Sequence, residues 1–89
     1  MCNPHVIERI ESRRIEIDPE FLDYLAAKCE NIDTAIILGK NSWLGDICRI
    51  ILIVRNNQPV TIMFRRLSQS LDKKHLGIDK IIEIHATGE

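Results

Sequence analysis

The sequence predicts an α+β domain: two N-terminal helices packed on one face of a mainly antiparallel sheet of about four strands. Three observations lead there. Helix-start signals occur twice near the beginning, in NPH and in IDPE. Apolar residues recur at helical spacing up to Cys29, then collect in short β-branched runs. Two of those runs, ICRIILIVR and VTIMFRR, flank the turn residues NNQP, as the arms of a hairpin do.

The first helix is expected from about Pro4 to Arg13. Asn3 can cap its free backbone N–H groups, and Pro4 suits the first helical position, where a missing N–H costs nothing. In HVIERIESRRI, helical spacing places His5, Arg9, Ser12 and Arg13 on one stripe, with Val6, Ile7 and Ile10 toward another side. The second helix takes Asp18 as cap, Pro19 and Glu20 in its first turn, and Phe21, Leu22, Leu25, Ala26 and Cys29 as its apolar stripe. TAIIL at 34–38 is expected as a strand, followed by GKNSWLG as a loop.

Pairing Arg55 with Val60 in the hairpin puts Ile51, Ile53, Val60, Ile62 and Phe64 on the face toward the helices. Ile50, Leu52, Val54, Thr61, Met63 and Arg65 then share the other face, an apolar surface ending in a hydroxyl and a guanidinium that could floor a cleft. A change of loop length would mix the two sets. SQSLDKKHLGID reads as a helical turn capped by Ser68 or Ser70 and stopped at Gly77, and KIIEIH at 80–85 as a last strand.

With 89 residues and 45% hydrophobic content the chain makes one domain with one small core. Its longest apolar runs, such as IILIV, are too short to cross a bilayer, and the N-terminus lacks the pattern of a secretory signal, so a soluble cytoplasmic protein is expected. Cys2, Cys29 and Cys48 fit neither a disulfide framework nor a metal pair, and His5, His75 and His85 are scattered. Neither a metal nor a cofactor is expected. Gly39 and Gly45 lack phosphate-loop spacing. The net charge of -1 gives no general attraction for nucleic acid, but Arg9, Arg13 and Arg14 form one basic cluster and Arg49, Arg55, Arg65 and Arg66 another.

HVIERIESRRI, a capped second helix, a short strand and a long hairpin ending VTIMFRR together resemble a group of small bacterial and phage domains of unknown function. Their pattern is a histidine, an arginine four residues on, another arginine near the helix end, and a strand with valine and threonine; here these are His5, Arg9, Arg14 and Thr61. Such domains look similar to the ribonuclease toxins of the barnase, EndoU and RelE type. The resemblance implies two helices on an antiparallel sheet whose other face holds RNA, metal-independent RNA cleavage, and a toxin's antitoxin as partner. It covers about three quarters of the chain.

Cleavage of that kind needs a base for the 2′-hydroxyl, a cation for the developing phosphorane charge, and an acid for the leaving oxygen. The catalytic candidates are His5 as base or acid, Arg9 and Arg65 as phosphate stabilisers, and Thr61 as a positioning hydroxyl; Arg13, Arg14, Arg55, Arg66 and Lys40 are the candidates for contacting RNA. Each has a plainer reading. His5 can sit in solvent, Arg9 and Arg13 can pair with Glu8, Glu11 and Glu16, and Arg65 and Arg66 can mark a strand leaving the core. Trp43 can stack on a base or cover the core's end. The alternative function is a noncatalytic interaction module that forms a homodimer or binds a protein through its sheet.

Overall fold

The computed structural model describes residues 4–84. Helix α1 spans Pro4–Ser12 and α2 Pro19–Ala27; strands β1 (Thr34–Trp43), β2 (Asp46–Arg55) and β3 (Gln58–Arg66) follow, then the short helix α3 (Lys73–Leu76) and strand β4 (Lys80–Glu83). The fold is α+β, and the helical turn expected before Gly77 is the short helix α3. The sheet order is β3-β2-β1-β4, antiparallel except where β4 runs parallel to β1.

The local signals act as their chemistry requires. The Glu20 amide donates to the Asp18 carboxylate at 3.0 Å, with Pro19 inside the first turn. The corresponding cap expected of Asn3 lies outside the described residues, as does His85 at the end of the last expected strand. Helix α3 is capped by Asp72 rather than by Ser68 or Ser70: the Lys74 amide donates to its carboxylate at 3.1 Å. Gly77 ends that helix at φ 72, a left-handed conformation that a side chain would strain.

Between β2 and β3 the turn is Asn56–Asn57, both at positive φ (55 and 60), so Arg55 pairs with Gln58 and not with Val60. Asparagine tolerates this conformation, which matches the twist of a two-residue hairpin. A bulge follows, because the pairing steps from Val54↔Pro59 to Ile53↔Thr61 and leaves Val60 as the extra residue. Relative to the expected register, the resulting alignment changes parity and exchanges the faces of β2. Ile50, Leu52 and Val54 join Ile62 and Phe64 beneath the helices, while Ile51 and Ile53 lie with Thr61, Met63 and Arg65 on the opposite face.

The helix face holds the main core: Val6, Ile10, Leu22 and Ala26 of the helices meet Ile36, Leu38, Leu52, Val54 and Ile62 of the sheet. The other face is covered rather than open over half its length. The chain from β3 at one edge to β4 at the other crosses it, and Ile78, Leu71 and Leu76 pack on Ala35, Ile37, Ile51 and Ile53. We call this the crossover face. GKNSWLG is not a loop: β1 continues to Trp43, and Leu44–Gly45, at φ 53 and 85, closes a second tight hairpin into β2.

Two polar ties fix the end of the sheet nearest the Asn56–Asn57 turn. Arg55 Nη1 donates to Asp33 Oδ2 at 2.7 Å and to the Gly77 carbonyl at 3.0 Å, joining β2 to the start of β1 and the end of α3. The Asn57 side-chain amide donates to the carbonyls of Ala26 and Ala27, both at 3.2 Å, and accepts from the Asn31 amide at 3.1 Å. The Ala27 carbonyl is one that a helix C-terminus leaves without an intrahelical partner, whereas the Ala26 carbonyl also accepts the Cys29 amide at 3.1 Å.

Candidate functional site

At the opposite end of the sheet, where β1 and β2 run toward the Leu44–Gly45 turn, three cations lie side by side. In the register of the sheet Lys40 is directly opposite Arg49, and Arg49 directly opposite Arg65. Arg49 shares the crossover face with Ile51 by strand alternation, and Arg65 shares it with Met63. Lys40 reaches that face because of a second bulge. The pairing steps from Ile37↔Ile51 to Gly39↔Ile50, so Leu38 and Gly39 together oppose Ile50 and the next side chain changes face. Without that extra residue Lys40 would follow Ile36 and Leu38 onto the helix face.

Neighbouring strands are about 4.8 Å apart, so the row is about 10 Å long. Like charges placed directly opposite one another cost on the order of a few tenths of a kcal/mol per pair. Among the described residues Lys40, Arg49 and Arg65 have neither an ion pair nor a side-chain hydrogen bond, although Asp72 lines the same groove as Arg65. Arg55 and Arg66 differ in this respect. Arg55 is held by Asp33, and Arg66 Nε pairs with Asp46 Oδ2 at 3.2 Å.

Arg65 also lines a groove of about 370 Å³ with Gln69, Ser70, Asp72 and His75, all from the crossover chain. Its Nε is buried and has no hydrogen-bond partner. A buried donor without an acceptor costs about 1–3 kcal/mol. Asp72 is engaged in capping Lys74, while Gln69, Ser70 and His75 are exposed on the rim.

The residues expected to form one catalytic site are distributed over both faces. His5 and Arg9 belong to α1, on the helix face; His5 is exposed and Arg9 half-buried. Thr61 and Arg65 lie on the crossover face, four residues apart on β3 and therefore about 13 Å apart along the strand. These four do not converge. Of the residues expected to touch RNA, Arg13 sits 4.9 Å above the Phe64 ring on the helix side, Arg14 ends α1 at φ 53, and Arg55 and Arg66 are ion-paired. Lys40 alone among them joins Arg65.

Sequence reasoning did not assign roles to Arg49 and His75. Arg49 was visible as part of a basic cluster, but only the register shows that it stands between two other cations. Gly39, an isolated glycine inside a strand, is a signal for the bulge that brings Lys40 to them. No family model matches the chain, and no curated protein or solved structure was found similar to it.

Proposed function

We propose that this domain binds single-stranded RNA, holding the phosphodiester backbone across the crossover face. The row Lys40–Arg49–Arg65 is the observation that carries the reading. Three adjacent cations with no ion pair among the described residues favour an anionic ligand, and about 10 Å of them spans about three phosphates of a strand whose stacked rise is about 3.4 Å. A single strand suits so narrow a row better than a duplex, and RNA is the ligand implied by the resemblance of HVIERIESRRI and VTIMFRR to ribonuclease toxins. Binding rather than cleavage is proposed because His5 and Arg65, the base and the phosphate clamp expected of a nuclease, lie on opposite sides of the sheet.

The test is binding of a fluorescent single-stranded oligoribonucleotide over a range of salt. Three phosphate contacts on a single strand should give a slope of about -2 in log affinity against log salt. Arg49→Ala should weaken binding and reduce that slope by about 0.7. A slope near zero, or an unchanged affinity in Arg49→Ala, defeats the proposal. Shortening of the RNA during the measurement, in the presence of a chelator, would restore cleavage as the function.

A further inference from the structure

We infer that the groove beside Arg65 is a pocket for a single terminal phosphate, so that the domain reads the phosphorylated end of an RNA strand. This rests on the RNA-binding reading and extends it to one class of substrate, end-phosphorylated RNA.

The position of Arg65 is the first argument. β3 is the edge of the sheet, so Arg65 is the last cation of the row. A backbone laid over Lys40, Arg49 and Arg65 in turn reaches the groove at its end, where Gln69, Ser70 and His75 stand around the next position. The second argument is the number of donors. Arg65 lines the groove and brings its two Nη groups, whose N–H donors can take two phosphate oxygens side by side. The Ser70 hydroxyl, the Gln69 amide and the His75 ring add three further donors on the rim. A phosphodiester within a chain offers two non-bridging oxygens and one negative charge. A terminal phosphate monoester offers three oxygens and a charge near -2 at neutral pH, and is the better match for this many donors. Asp72 also lines the groove and opposes an anion, but its carboxylate accepts the Lys74 amide and is held to the α3 end.

One oligoribonucleotide sequence prepared with a 5′-phosphate, with a 3′-phosphate and with hydroxyls at both ends decides the matter. One phosphorylated form should bind about tenfold tighter than the hydroxyl form, the scale of a charge-assisted hydrogen bond. Ser70→Ala and His75→Gln, both at exposed positions, should reduce that preference and leave the hydroxyl form's affinity unchanged. Arg49→Ala should weaken all three forms alike. Equal affinity for the three forms overturns the pocket and leaves RNA binding standing. If no form binds, the RNA reading fails, and inorganic phosphate then decides the pocket by itself. A shift of the His75 ring resonances on adding phosphate, lost in Arg65→Lys, upholds a phosphate site; no shift overturns it.

Discussion

The two faces of this sheet are made from the same strands and perform different tasks. On the helix face, Leu52 and Val54 are fully buried beneath α1 and α2, and the apolar contact continues through Ile62 to the partly buried Phe64. On the crossover face, Ile51 and Ile53 are equally buried near the middle, but the next position along β2 is Arg49, between two more cations. One face is completed by the chain's own helices. The other is completed for half its length, and where the crossover chain turns away toward β4 the sheet presents charge. A sheet of this size can thus hold its stability on one side and at one end, while the remaining quarter carries the row of cations.

The largest expected effect breaks the comparison if it is wrong. Leu52→Ala removes a fully buried side chain under two helices and should cost about 3 kcal/mol in urea unfolding, whereas Ile51→Ala, under a short crossover that can settle into the space, should cost about 2 kcal/mol. Equal costs would make the two faces equivalent in stability. Next, Arg49→Ala should lower RNA affinity by about 1 kcal/mol while leaving the unfolding midpoint the same or slightly higher, since it relieves two like-charge neighbours. Arg55→Ala sharpens the contrast between arginines that hold the fold and arginines that do not. Losing the bonds to Asp33 and Gly77, at a site 39% exposed, should cost about 1 kcal/mol of stability with no change in RNA binding. Arg66→Ala is the smallest: its pair with Asp46 is 65% and 55% exposed, so the change in stability should stay below about 0.5 kcal/mol.

Much of the fold was legible because its signals are local. Asp18 and Pro19 mark a helix start through adjacent residues alone, and the two apolar runs around NNQP pair as a hairpin. The faces of β2 were not legible, because they depend on the parity of the register. That parity was set by which two of the four residues NNQP turn and by a bulge next to Pro59, whose missing N–H is tolerated on the edge strand. The far half of β1 was not legible for a related reason. GKNSW has no apolar alternation to declare a strand, since Lys40, Asn41 and Ser42 are all exposed in the hairpin arm. Two members of the candidate site, Lys40 and Arg65, could be singled out as residues able to hold phosphate. Their neighbourhood came from the bulge at Leu38–Gly39.

The Asn57 amide ties the end of α2 to the turn between β2 and β3, residues far apart in the chain. Neither piece is complete alone. The Ala27 carbonyl takes its donor from the turn, and the asparagine of that turn takes its acceptors from the helix. Protection of backbone amides against deuterium should therefore rise and fall together in these two segments, as one opening unit, although each is short and lies at the surface. Replacing Asn57 by glycine, the residue that a two-residue turn would otherwise favour, should uncouple them, with the Asn31 amide exchanging sooner than the amides of the hairpin strands.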